Sequence, residues 1–422
     1  MTGDLLGHTV REQWLWTSFH TKHTGGNTMI CIGIDAASEK HDVAIINQNG
    51  EILCSPFQIR NRYEDYKRLL EIINHLKETL HDDQTRLGIE STGSYSETIV
   101  DFFSRVEGVD VIYINPLLTR LYQQTRKVHY AKTDKLDALG IAGFISTEPE
   151  IRTYEPVSND IKELKEIYRE IISSNKELCE CKNRLKSLLH RYFPEYLEIM
   201  SDVYNTSSLW ILGNLKSLNS LSRQDPVLYM KKVNKKSKGR LSLDKSQKLI
   251  EISKKSVGVK KGYNSVVISS LVSRIIVIQN GKDELLEAAE KLIRKTYPNL
   301  LSIPGIGIVS AAGIIGEIGN IDNFHSSDAL YAFTGLDPKV YESGKYKAED
   351  VRISKKGSPY LRNAFYIASQ CIIHFDPVFI RYYKKKDMEG KRYRNILGHV
   401  AKKLCRVVYS LMKSGEDYII SQ

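Results

Sequence analysis

The sequence predicts an α/β domain followed by two mainly helical regions, and three observations predict it. Residues 29 to 150 alternate short apolar, β-branched runs with amphipathic stretches and turn signals. Residues 155 to 298 carry two long apolar repeats with a seven-residue period. Residues 299 to 422 open on a proline-glycine hinge and continue as short apolar and basic helical stretches.

The first region starts with MICIGIDAASEKHDVAII, Met29 to Ile46. Ile30, Ile32 and Ile34 lead to a carboxylate, Asp35, and a second β-prone run covers Val43 to Ile46. Asn47-Gln48-Asn49-Gly50 is a turn signal, so Glu51 to Phe57 continues a three-strand antiparallel meander. Arg62 to Leu80 has helical apolar spacing, and Thr85 to Glu90 reads as a buried strand ended by Gly93. A helix from Tyr95 to Val106, a strand from Val109 to Ile114 and a helix from Lys132 to Phe144 complete the order βββαβαβα. That is the order of a ribonuclease H-like domain, whose first metal ligand sits on the first strand.

Asp35 alone is a weak signal, because an Asp at a strand end is usually a solvated turn residue. The last helix adds KTDKLDALGIA, with Asp134 and Asp137 on one helical face. Like charges at that spacing repel unless a cation lies between them. A solvated acidic face beside Lys132 and Lys135 is the plain alternative. Asp35, Glu90, Asp134 and Asp137 together offer hard oxygen ligands suited to two Mg2+ ions, with Mn2+ able to substitute. Such ions activate a water or hydroxyl and stabilise a leaving oxygen. An actin- or sugar-kinase-like ATPase would share the fold, but the sequence has neither its second Asp-Gly phosphate loop nor its Gly-Gly adenosine loop.

At 422 residues the chain is long enough for two or three domains, with 41% hydrophobic residues to build their cores. Lys and Arg number 61 against 50 acidic residues, a net charge of +11 that favours a polyanionic partner. Cys31, Cys54, Cys179, Cys181, Cys371 and Cys405 show no zinc spacing and read as reduced thiols. No apolar run is long enough for a membrane span and no signal peptide can be built, so a cytoplasmic protein without membrane association is expected. Residues 1 to 28 lack a clean period, and Met29 is the expected natural start after a non-native or disordered leader.

Between Asp160 and His190, Leu164, Ile171, Leu178 and Leu185 repeat at seven residues, as do Leu271, Ile278, Leu285 and Leu292 further on. The two coiled-coil-like helices can pair with each other or with a second copy of the chain. Between them, residues 196 to 262 form an insert whose latter half is strongly basic, from Lys231 to Lys261. Charge runs are usually solvated faces, yet this one suits sequence-independent phosphate contact.

In the last region, Ile303-Pro304-Gly305-Ile306-Gly307 resembles the turn of a helix-hairpin-helix module, where amides at a helix N-terminus meet phosphate. A tight, glycine-packed helix connection is the plainer reading. Ser343 precedes Gly344 in a basic loop, weak evidence by itself. Arg352 to Arg362 is a dense cationic strip, and Arg381 to Arg406 interleaves cations with Tyr382, Tyr383 and Tyr393. Lys132, Gly305, Gly307, Lys345, Arg352, Lys355, Lys356 and Arg362 are the expected nucleic-acid contacts.

The ordered motifs GIDAA, GIESTGSY, KTDKLDA, SIPGIG, FTGLDP, ESG and RISKKGSPYLR resemble insertion-sequence transposases with an Asp-Glu-Asp-Asp tetrad and a C-terminal serine domain. Piv-type DNA invertases and bridge-RNA-guided recombinases belong with them. The resemblance covers 29 to about 375 and implies a RuvC-like catalytic domain, similar to Holliday-junction resolvases, with Asp35, Glu90, Asp134 and Asp137 as its magnesium ligands. It implies Ser343 as a nucleophile that forms a covalent phosphoserine link with DNA. It also implies a homo-oligomer, dimer or tetramer, in which acids and serine come from different copies, and a non-coding bridge RNA that pairs with donor and target DNA.

Two enzymatic classes follow: a metal-dependent, serine-assisted DNA recombinase, and a structure-specific junction endonuclease that uses the acidic tetrad alone. A non-catalytic nucleic-acid scaffold is the third. Loss of a protein-DNA adduct on Ser343→Ala separates the first two, and an indifferent Asp35→Ala would favour the third.

Overall fold

Three antiparallel strands, β1 (Ile30–Asp35), β2 (Lys40–Asn47) and β3 (Ile52–Arg60), start the N-terminal sheet. The computed structural model describes residues 29–81, 84–90, 95–114, 118–120, 122, 134–148, 153–258, 264–337, 342–343, 346–347, 353–355 and 357–420. The expected leader, 1–28, lies outside them. The chain forms two compact units, residues 1–156 and 157–422.

In the first unit the turn after β2 is closed by Asn47, whose Oδ1 accepts from the backbone N–H of Asn49 and Glu51 at 3.0 and 2.9 Å. Helix α1 (Tyr63–Leu80) buries Tyr66, Leu69, Ile73 and Leu76, the helical spacing seen in the sequence. Then come β4 (Thr85–Glu90), α2 (Glu97–Phe103), β5 (Val109–Ile114) and α3 (Asp134–Thr147). The sheet order is β3-β2-β1-β4-β5, with β4 parallel to β1 and β5 parallel to β4. This mixed sheet has the strand order of a ribonuclease H-like domain.

Alternation along the strands divides the sheet into two faces. Ile30, Ile32, Ile34, Val43, Ile45, Leu87 and Ile89 pack with α1 and α2 in one core. Cys31, Ile46, Ile112 and Ile114 pack with Ile141, Ala142 and Ile145 of α3 in the other.

The second unit is built on two long helices, α4 (Asn159–Tyr192) and a later partner spanning Asn264–Thr296. Between them lie α5 (Tyr196–Ile199), α6 (Thr206–Gly213), α7 (Leu218–Ser222), α8 (Pro226–Ser237) and α9 (Leu243–Lys255), so the partner is α10. Ion pairs Lys295–Asp160 at 2.7 Å and Arg274–Glu177 at 2.8 Å fix α4 and α10 as antiparallel neighbours within one chain. Leu164, Ile171 and Leu185 of the predicted repeat are fully buried. On α10 the intervening positions Ile275 and Ala289 are the fully buried ones, while Leu285 and Leu292 are only partly covered.

The pair carries a core at each end. Leu178 to Leu189 and Ile268 to Ile275 join the insert helices through Leu209, Val233 and Leu249. Ile161 to Ile171, Ala289 and Ile293 join Leu300, Ile315, Phe365 and Leu404. Leu300 lies in the short 3-10 turn Pro298–Ser302, and the other three belong to a helical bundle: α11 (Ile308–Ile318), α12 (Ser327–Thr334), α13 (Pro359–Phe375), α14 (Pro377–Met388) and α15 (Tyr393–Ser414). A two-stranded hairpin, β6 (Glu342–Ser343) and β7 (Tyr346–Lys347), lies between α12 and α13 in sequence.

Candidate active site

The site is made where α3 crosses the ends of β1 and β4, and two glycines set how close it comes. Gly33 on β1 and Gly88 on β4 are direct partners in the parallel register. A Cβ on Gly33 would stand 2.1 Å from the Ala138 carbonyl oxygen and 2.4 Å from the Ala142 nitrogen. At Gly88 it would meet the methyls of Ile145 and Ile141 at 2.9 and 3.0 Å. The missing side chains let the helix backbone lie on the strands. Asp134 and Asp137, in its first turn, therefore arrive beside Asp35 at the end of β1. Two carboxylates at a helix N-terminus are favoured by its dipole.

Carboxylate oxygens of Asp35, Asp134 and Asp137 lie within 4.8 Å of one another. Asp35 titrates well above the usual carboxylate range, at about 6, because burial disfavours its charge and Asp137, Glu90, Asp134 and Asp42 repel it. Glu90 ends β4, beside β1, and accepts a hydrogen bond from the Thr119 hydroxyl. It reaches Asp35 through charge, outside the close trio. Hard carboxylate oxygens gathered at this separation fit divalent metal ions.

Asp42 was not a sequence candidate, and its charge reaches Asp35 from outside the close trio. It is directly opposite Asp35 in the β1–β2 register and only 4% exposed. The Gln58 amide donates to both its oxygens at 3.3 and 3.2 Å, and among the described residues Asp42 forms no ion pair. Six residues, 36 to 41, separate the partners, and the connection's length and shape set that register. His41, fully buried on the other face of β2, accepts from the Ala37 N–H at 3.3 Å through Nδ1 and holds that turn.

In the second unit, Ser343 ends β6 opposite Tyr346 of β7. The chain on either side of this segment is clasped. Ser354 N–H donates to the Asp337 carbonyl at 2.8 Å and its hydroxyl to the Asp337 carboxylate at 2.5 Å. Lys355 N–H donates to the Gly335 carbonyl, and Ser358 N–H to that of Phe333. Gly357 sits so close that a Cβ would come 1.7 Å from the Phe333 oxygen. The motifs FTGLDP and RISKKGSPYLR meet here.

The expected nucleic-acid contacts divide. Lys355 is exposed, with φ of 55°. Arg362 donates to the Thr334 carbonyl at 3.4 Å. Gly305, with φ of 86°, and Gly307 line a cavity of about 430 Å³ shared with Glu287, Glu290 and Cys371. Two carboxylates beside those amides work against an anion there. Lys132, Lys345, Arg352 and Lys356 lie outside the described residues.

Ser358 also caps α13 and donates to Glu317 at 2.8 Å. Glu317, 3% exposed at its side chain, pairs with Arg169 at 2.7 Å, and Arg169 lies over the Tyr360 ring. Among the described residues no helix is long and apolar enough to cross a membrane.

Acids gathered at the end of β1 and in the first turn of α3, on a mixed sheet of this strand order, make a candidate centre for divalent metal ions. A DEDD-type IS110 model described as Transposase matches residues 32–194, and one described as Transposase IS116/IS110/IS902 family matches residues 297–384. The chain belongs to the IS116/IS110/IS902 family of transposases. It is 20% identical to the mini-circle putative transposase for IS117 of Streptomyces coelicolor, over 93% of this chain and 95% of that one. It is 26% identical to the pilin gene-inverting protein of Moraxella bovis, over 28% of this chain and 37% of that one. Among solved structures, T. thermophilus RuvC in complex with a Holliday junction substrate aligns over 30% of this chain and 99% of its own. The identity is 13% and the TM-score 0.22.

Proposed function

We propose that the protein cleaves and rejoins DNA at the ends of an insertion sequence, using Asp35, Glu90, Asp134 and Asp137 with Mg2+ and Ser343 as nucleophile. The observation that carries this is the close approach of Asp35, Asp134 and Asp137 within 4.8 Å. These carboxylates would hold two divalent ions, which neutralise phosphate charge and activate a hydroxyl when bound. The Ser343 Oγ attacks the scissile phosphorus, its proton leaves to a base or solvent, and the sugar oxygen of the cut strand departs. Attack by the new strand's hydroxyl then releases the serine. Lys355, Arg362 and the cations of the same motifs, Lys132, Lys345, Arg352 and Lys356, contact phosphates. Donor and target DNA are selected by pairing with a bridge RNA, in a homo-oligomer whose acids and serines come from different copies. The resemblance of the motif order supports the serine, RNA and oligomer parts of this reading.

The hydrolytic alternative, a junction endonuclease without serine chemistry, is favoured by one observation: among the described residues, the three clustered carboxylates all come from the first unit. The test is incubation of the full chain with Mg2+, the element's end DNA and RNA transcribed from its flanks, followed by a denaturing gel. A protein-linked DNA band lost in Ser343→Ala, and separately in Asp134→Ala, supports the recombinase. Cleavage without a linked band that survives Ser343→Ala selects the endonuclease.

A further inference from the structure

The proposed chemistry leaves one strongly charged feature unused, helix α8 and the loop that follows it. Lys231, Lys232, Lys235 and Lys236 are all exposed on α8, and at 100° per residue they cover about 140° of its circumference. Lys238 and Arg240 follow in the loop and are exposed as well. No acid occurs between Pro226 and Leu243. On the next helix, by contrast, Lys248 pairs with Asp244 and Lys255 with Glu251. Among the described residues, none of the six cations of α8 and its loop has an acidic partner.

The scaffold beneath them is rigid. Asp225 caps α8 by accepting from the Leu228 N–H, and Pro226 opens its first turn. Asn234 binds the returning loop twice, accepting from the Leu241 N–H at 2.6 Å and donating to its carbonyl at 3.0 Å. Val233 anchors the helix in the insert core, and a Cβ on Gly239 would collide with Ser207 Oγ at 2.2 Å. Six like charges are thus held together with no internal counter-charge, and a polyanion would relieve their repulsion.

We propose that α8 and residues 238–240 grip the phosphate backbone of duplex DNA without reading its sequence. Five of the six cations are lysines, compact charges that meet phosphate oxygens without the fork geometry of base recognition. The only aromatic residue of the helix, Tyr229, is half-buried and packs against the insert core, so the lysine face itself carries no aromatic ring for stacking unpaired bases. That separates a duplex from a single strand. The choice of DNA rests on the transposase reading; the phosphate contact does not.

The test measures binding of the full-length protein in EDTA to a labelled random-sequence DNA duplex across a salt series. In K231Q/K232Q/K235Q/K236Q the slope of log affinity against log salt should fall by about 3 to 4. The matching four-arginine variant should keep the parent slope, which excludes a folding defect as the cause. An unchanged slope in the glutamine variant overturns the proposal. A slope that falls only with structured RNA, or only with anionic vesicles, also overturns it. Because EDTA silences the acidic site and the probe carries no element ends, failure of the serine or guide chemistry leaves this result unaffected.

Discussion

Asp42 stands directly across from Asp35, and strand alternation turns both side chains to the face where α3 lies. A carboxylate 4% exposed with no ion pair among the described residues is expensive unless a cation is near. A cation held by Asp35, directly opposite, would supply that charge. Asp42→Asn should therefore weaken Mn2+ affinity by about tenfold, in line with the loss of a residue that supports a metal ligand. Asp35→Asn should abolish binding. Calorimetric titration of both variants checks the ranking.

The raised titration of Asp35, at about 6, sets a pH dependence. An acid whose folded-state value exceeds its unfolded one stabilises the fold below the ordinary carboxylate range. That contribution is lost as pH rises through about 6. In EDTA, the part of the stability due to this group should decline with rising pH across that window. Protons also compete with the cation, so Mn2+ affinity should rise by up to tenfold per pH unit until about 6 and then level off. Melting curves with and without Mn2+ from pH 4 to 8 measure both trends.

Gly33→Ala and Gly88→Ala should differ. The first sets a methyl against helix backbone, which cannot yield locally, and should destabilise by about 3 kcal/mol and lose cation binding. The second meets the ends of isoleucine side chains and should cost about 1 kcal/mol with binding retained. Denaturant unfolding and the same titration distinguish them.

Gly357→Ala strikes the clasp beside the Ser343 hairpin, where the added carbon would overlap the Phe333 carbonyl. The expected outcome is a loss of protein-linked DNA by at least tenfold with Mn2+ affinity unchanged. The gel and the titration read the two effects independently.

Arg169 and Glu317 tie α4, α11 and the start of α13 together. Arg169→Ala strands a buried carboxylate and should destabilise by about 2 to 3 kcal/mol, softened by the remaining Ser358 donor. Replacing both partners with methionine should cost less than Arg169→Ala alone. Chemical denaturation of the two variants gives the comparison.

The order of strands and helices in the first unit could be read from sequence because its strands are apolar runs that end on carboxylates or turn residues. Asp35, Asp134 and Asp137 were legible as candidates, and the sheet brings them together. Gly33, Gly88 and Asp42 were hidden because their meaning depends on which residue stands beside which across strands, and linear periodicity does not encode that. The repeats of α4 and α10 showed a buried seam without its partner, which the ion pairs Arg274–Glu177 and Lys295–Asp160 identify. Arg362 reads as one more cation in a basic strip. Its contact with the Thr334 carbonyl depends on a neighbour 28 positions earlier.

The clustered acids of the first unit are spread along the chain, with Asp35 on its first strand and Asp134 and Asp137 on its last helix. During synthesis, Asp35 and Glu90 leave the ribosome long before Asp134 and Asp137, so the close trio cannot form until α3 has emerged. The acidic trio is therefore assembled last, after the sheet beneath it exists. A chain that stops before α3 keeps Asp35 on its strand but lacks both carboxylates that complete the trio, and so has no such place for a cation.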